Sequence, residues 1–508
     1  LAFALVRVAP TWKKVGFGFF PIDDRSEFFI KVETPPGSSL ALTKQKVLEV
    51  EAATRKIPEL KYTYTTLGAG ASGAVDVANM YVRVLPKSER HRSVEELAGV
   101  LRQELTTHAG FSASVFTTDW GGGRKQLALN IGGDDAGALA AFAEQVKAEV
   151  AQVPSVVDLG LSTKGQKPEV NVELNRGLAG SLGVTVGQVA QSIRPAFAGI
   201  DAGDWTDPSN EVRDVRIRLA PEYRKRVIDL AQLPLTIAGP SGPTTIPLGQ
   251  VATISQSLGP AVINHLNRNL NVAVEWNVAG RSTGEVMADA LVRVNKLQTP
   301  PGMTITVGGD QEQQNESFSS IFFALGVAVL LMYLVLVMQF GSFLDPLAIM
   351  ASLPLSLIGV FLGLSLAGYT INIMSLMGVI LLMGLVAKNA ILLIDFAKWA
   401  QADKNIPIRE ALIEAGGIRL RPIIMTTVAL IAGMTPIALG TGEGSQFRSP
   451  LGVAIIGGVI TSTLLTLLVI PTFYEIMFDM RAKVLRRVTR KSTKQSLEPT
   501  PALLEEHR

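Results

Sequence analysis

The chain has 508 residues, too many for one ordinary domain and enough for two or three. Hydrophobic residues make up 47% and charged residues 18%, high and low respectively for a soluble protein, and the apolar excess lies after Ser317. A net charge of +3 is too small to argue for nucleic acid, and zero cysteines exclude a disulfide framework or a thiolate metal site.

The opening LAFALVRVAP is too short an apolar stretch for a signal peptide and lacks an ordered cleavage site. Residues 1–25 read as the end of a truncated transmembrane helix and a FFPIDD link, and the chain as a fragment. From 26 to 120 the pattern is strand, helix, strand, twice over. EFFIKVE (27–33) alternates, 39–57 carries helical periodicity, and LKYTYTT (60–66) alternates again. A Gly- and Ala-rich loop (67–78) follows, then NMYVRVL, a helix near 93–107 and FSASVFT. Tandem units of this kind predict a ferredoxin-like subdomain.

The same order recurs in 121–164 and 256–312, with helices at 136–153 and 283–297, which predicts a second, split subdomain. Residues 165–255 form an insertion, with strands at 169–174 and 212–219 and a helix near 185–197.

GGDQEQQNESF leads into region 313–480, where five apolar stretches are long enough to span a bilayer core, which takes ~20 helical residues. They cover about 319–340, 347–368, 371–396, 422–439 and 451–478. Residues 403–417 read as an amphipathic helix at the interface. Lys and Arg gather between the third and fourth stretches and in the basic tail 481–508, so those ends are expected in the cytoplasm. Residues 1–315 are then mainly extracytoplasmic. The fold class expected is an α+β membrane protein, ferredoxin-like βαβ subdomains with an insertion, followed by a five-helix transmembrane bundle.

The stretch GLVAKNAILLIDF (384–396) is the chemical centre. From Pro346 to Ala387 there is no Asp, Glu, Lys, Arg or His, and then comes Lys388. A charge at that depth costs ~2.5–3.5 kcal/mol on insertion scales, so its presence points to an ion or proton relay. The alternative is a lysine snorkelling to the interface, a reach of about two turns. Asp395 lies seven residues on, ~10 Å along a straight helix and too far to pair directly. Asp345, Asp395, Glu443 and Glu475 all stand near the ends of apolar stretches, so the counter-charge for Lys388 is expected from another segment. Arg419 and Thr426 share a helical face; Arg419 reads as relay or as interfacial anchor, Thr426 as relay hydroxyl or as a side chain bonded to its own helix. Thr461, Ser462, Thr463 and Thr466 read as helix-packing polar groups. The loop glycines Gly68, Gly70 and Gly73 fit a hinge near a substrate path or a plain linker; no phosphate-loop lysine is present. The four histidines show no metal-ligand spacing, and no nucleophilic triad appears. No metal site, cofactor or enzymatic chemistry is expected.

GLVAKNAILLIDFAK followed by GGIRLRPIIMTTVALIAGMTPIALGTGEG resembles the C-terminal half of a resistance–nodulation–division (RND) efflux pump, and AKNAIL resembles the branch that exports hydrophobic and amphiphilic drugs. The resemblance implies a bacterial inner-membrane proton antiporter, a homotrimer working with a periplasmic adaptor and an outer-membrane channel. It implies two porter subdomains with a docking subdomain inserted in the second. It places the relay lysine at Lys388, with Asn389 beside it, the arginine at Arg419 and the threonine at Thr426. A pair of aspartates on the missing N-terminal half would face them. The loop 67–78 falls at the family's switch loop but lacks the phenylalanines of pumps for bulky drugs. A metal-exporting branch uses porter methionines; Met80 is the only methionine before Gly280. A membrane-anchored scaffold without transport of its own is the other alternative.

Overall fold

The computed structural model describes residues 15–21, 23–68, 73–117, 123–239 and 242–495. Residues 1–14, on which the truncated helix was expected, lie outside them. Two compact units are present, one of Thr34–Ser39 with Thr163–Asn264 and the other of the remaining described residues.

In the larger unit the first subdomain is one antiparallel sheet in the order Leu60–Leu67, Val77–Val84, Glu27–Glu33, Ser112–Phe116. That is the ferredoxin-like arrangement, with helices Leu40–Thr54 and Val94–Thr106 on one face. Glu27–Glu33 alternates because Phe28, Ile30 and Val32 point into the core while their neighbours do not. Ser93 and Glu96 close a capping box that starts the second helix at Val94. The second subdomain repeats the strand order with Val156–Leu161, Asn269–Val278, Leu127–Gly133 and Thr304–Gly309. Helices Ala136–Val150 and Thr283–Val294 pack on it around the fully buried Trp276.

The smaller unit is made of antiparallel ribbons. Gln166–Leu174 pairs along its whole length with Ala252–Pro260, so the insertion returns near residue 264 and not at 255. Ile200–Thr206 pairs with Val212–Ile217, and Pro234–Gly239 with Gly242–Pro247. Ile200–Thr206 and Val212–Ile217 are exposed along their whole length and Gly242–Pro247 along most of it, so these three carry no alternation of burial.

Strand Thr304–Gly309 runs straight into the first spanning helix, Asp310–Phe340, with Gly309 at φ 71 making the turn. Four more apolar spans follow, Leu344–Ala367, Ile373–Lys404, Ile408–Leu439 and Ser449–Met480. The expected interfacial helix over 403–417 is not a separate element. Lys404 ends the third span, Asn405 turns left-handed at φ 50, and from Ile408 the chain runs as one helix through Pro422 to Leu439. Proline inside a spanning helix is tolerated where neighbours re-satisfy the freed carbonyl.

The second, third and fifth spans form the packed centre; the first and fourth are largely exposed in this chain. Small residues set the closest approach. A side chain on Gly359 would fall on Thr461 Oγ1 and the Gly457 carbonyl, so the second and fifth helices touch backbone to backbone. On the strand-bearing side of the bundle, Gly18 donates to the Ile371 carbonyl at 3.0 Å and Ile371 to that of Gly16 at 2.9 Å.

Candidate functional site

The third span starts cleanly because Asn372 and Ser375 cap it reciprocally. Val386, Ala387, Ala390, Leu393 and Ile394 form its buried face. Lys388 points away from that face and is exposed on the five-span bundle, with Asn389 half-buried beside it. Both line a cleft of about 60 Å³, together with Thr426 and Thr427 of the fourth span and Ser462 and Thr463 of the fifth. One cation, one amide and four hydroxyls thus meet near the middle of the third, fourth and fifth spans, flanked by Leu385, Leu430 and Val459.

The hydroxyls differ in how they are satisfied. Thr426 Oγ1 donates to the Ile423 carbonyl at 3.0 Å, a bond within its own helix. Thr427 and Thr463 hydroxyls bond to each other at 3.0 Å and join the fourth span to the fifth. Thr461 bonds back to the Gly457 carbonyl at 3.0 Å. Ser462 Oγ and Thr466 Oγ1 are buried with no hydrogen-bond partner among the described residues. Of these four hydroxyls Thr463 bonds to another helix and Thr461 bonds within its own, while Ser462 and Thr466 are packed among the helices without a bond among the described residues.

Arg419 does not line the cleft. It sits seven residues from Thr426, ~10 Å toward the Lys- and Arg-rich end. Its guanidinium stands over the Phe396 ring at 5.1 Å, and its buried Nε has no hydrogen-bond partner among the described residues. Among the described residues Lys388 makes no ion pair, and Asp395 is exposed and makes none either. Toward the end of the same helix Lys398 pairs with Asp345 at 2.8 Å and donates to the Phe340 carbonyl at 3.2 Å. The link between the first and second spans, which has no Lys or Arg, is thereby tied to the basic end of the bundle.

Of the loop glycines, Gly70 lies outside the described residues. Gly68 and Gly73 adopt φ 73 and φ 58, and Gly68 donates to the Val77 carbonyl at 2.9 Å. They close the hairpin between Leu60–Leu67 and Val77–Val84, where left-handed backbone favours glycine. Sequence reasoning missed an aromatic surface beside this hairpin. Phe29, Tyr62, Tyr64 and Tyr81 stand on the sheet face that no helix covers, with Phe29 and Tyr62 rings 5.3 and 6.0 Å from Tyr81. The alternation of EFFIKVE and LKYTYTT carried that signal. The Tyr81 hydroxyl donates to Glu27 at 2.7 Å, and burial, then that carboxylate, push its pKa up to about 12.

Residues 1–478 match the AcrB/AcrD/AcrF family. Two crystal forms of a heavy metal efflux pump share this fold, with TM-scores of 0.76 and 0.74, both at 25% identity and over 94% of the chain. The chain spans 50% and 49% of the length of those two structures. The split subdomain, the strand that feeds a spanning helix and the lysine-bearing span all fall within the matched region, and the chain belongs to the AcrB/AcrD/AcrF family of RND efflux transporters.

Proposed function

We propose that this chain is the lysine-bearing half of an inner-membrane efflux pump subunit that exports hydrophobic or amphiphilic compounds in exchange for protons. The observation that carries the reading is Lys388, a cation at mid-membrane depth that faces hydroxyls and an amide but no carboxylate among the described residues. An ammonium in that position needs a counter-charge or loses its proton. An acidic pair on a complementary half, seated over the exposed face of the third and fourth spans, would supply it. Protonation of that pair would release Lys388 and move the third and fourth helices, with Asn389 orienting the ammonium and Arg419 and Thr426 lining the path. The soluble subdomains are then periplasmic, and the working assembly is a homotrimer with an adaptor and an outer-membrane channel.

The aromatic sheet face of Phe29, Tyr62, Tyr64 and Tyr81 supports an amphiphilic cargo, because it offers apolar area with hydroxyls at its edge. Gly68 and Gly73 would let the adjoining hairpin move with the load. Metal export is the second reading, favoured by the structural likeness to a heavy metal efflux pump. Against it, Met80 and Met287 are buried in the subdomain cores at 0% and 3% exposure, and Met303 packs against the second core. The test is dye efflux from cells carrying the whole subunit. Lys388→Ala should stop efflux of a hydrophobic cationic dye while the protein stays in the membrane. Unchanged efflux would remove the relay, and resistance to copper or silver ions without dye efflux would establish the metal reading.

A further inference from the structure

We infer that Ser462 and Thr466 of the fifth span are positioning residues that carry the proton path from Lys388 toward the basic end of the membrane bundle. The inference deepens the relay reading and rests on it. Ser462 is 1% exposed and Thr466 2% exposed, and neither hydroxyl has a hydrogen-bond partner among the described residues. Buried hydroxyls are normally bonded, and in a spanning helix the carbonyl one turn back is always at hand. Thr461, on the same helix, takes that bond, and Thr463 bonds Thr427. Two unbonded hydroxyls at an i, i+4 spacing therefore stand apart from their neighbours.

Their placement is directional. Val459 packs with Leu382 and Val386 of the third span, and Ile470 packs with Ala390 and Ile394. Ser462 and Thr466 lie between those two contacts, on the stripe turned to the lysine-bearing helix. Ser462 also lines the Lys388 cleft, and Thr466 is one turn, ~6 Å, nearer the basic end. A water held there by two hydroxyls and the cleft would have the polar partners it needs. With such a water in place, each hydroxyl would accept a hydrogen bond from one side and donate to the other. A proton arriving on the oxygen is matched by the hydroxyl hydrogen leaving, and the side chain is unchanged overall.

The test uses the whole transporter subunit in proteoliposomes, with proton-driven dye transport read across pH and in heavy water, beside melting temperature. Ser462→Ala with Thr466→Val should slow transport about tenfold or more and change its solvent isotope effect. Because the hydroxyls are unbonded, melting should hold or rise. Ser462→Thr and Thr466→Ser should keep transport. Full transport in the double variant, alongside an inactive Lys388→Ala, would overturn the inference and leave the relay standing. Slow transport with a matching loss of melting temperature would also overturn it, in favour of helix packing. An active Lys388→Ala would instead bring down the relay reading itself.

Discussion

Lys388 in the middle of the third span and Lys398 about two turns before its end are treated differently. Lys398, nearer the end, has Asp345 at 2.8 Å, a backbone carbonyl at 3.2 Å and the Phe340 ring at 5.1 Å. Lys388, three turns deeper, has no carboxylate among the described residues and faces uncharged groups. The shallow site, where water is near, is fully satisfied; the deep one, where an unpaired charge is most costly, is not. Polar satisfaction is what structure needs, so the end pair is structural. On the proposed reading, the deep ammonium waits for a counter-charge from outside these five helices.

The sharpest way to break this contrast is to remove each lysine in turn. Lys388→Ala should reduce transport to background with little change in melting temperature. Lys398→Ala should do the reverse, leaving Asp345 buried without its cation at a cost of about 1–3 kcal/mol, toward the low end because Lys398 is partly exposed. Transport assays and thermal melts of both variants in one detergent decide it. Equal loss of transport in both would erase the distinction.

Arg419 is a smaller test of the same contrast. Its contact is a stack on Phe396, which a lysine does not reproduce. Arg419→Lys should keep the charge, lose about 0.5–1 kcal/mol of cation–π interaction and slow transport several-fold. Phe396→Leu should match it in stability. If Arg419→Lys transports normally, the guanidinium is an anchor, as its place near the interface also allows.

Lys388 was legible in the sequence because a single charge inside an apolar run has few explanations. The strands of the two ferredoxin-like subdomains were legible for a similar reason, since EFFIKVE and LNVAVEWNV alternate in sequence and send Phe28, Ile30 and Val32, and Val272, Val274 and Trp276, into the two cores. Ile200–Thr206 was not, because a ribbon exposed on both faces selects no alternation. The unbroken helix from Ile408 was hidden by Pro422, which ends helices in water far more often than in a bilayer. Asp345 and Lys398 are 53 residues apart, and nothing local announces the pair. The hydroxyls of the fifth span were visible as polar residues. Which of them bond, and which do not, depends on distances between helices that no spacing encodes.

A third lysine extends the comparison into the soluble region, with the smallest expected effect. Lys125 is half-buried, and its ammonium comes so near Gly160 that a Cβ there would lie 2.8 Å from Nζ. Burial pulls its pKa below the usual 10.5, and Glu275, Glu33 and Asp158 only partly offset this. The folded protein therefore holds this proton less tightly than the unfolded chain. Stability from this group is lowest at neutral pH, rises as pH climbs from the folded value toward 10.5, and is flat above. Lys125→Met removes the titrating group and should melt higher at pH 7, on the order of 2 °C, with the advantage shrinking in alkali. Melting curves across that range check it. An advantage that does not change with pH would mean the gain is packing alone, and a loss at pH 7 would mean the three carboxylates outweigh burial.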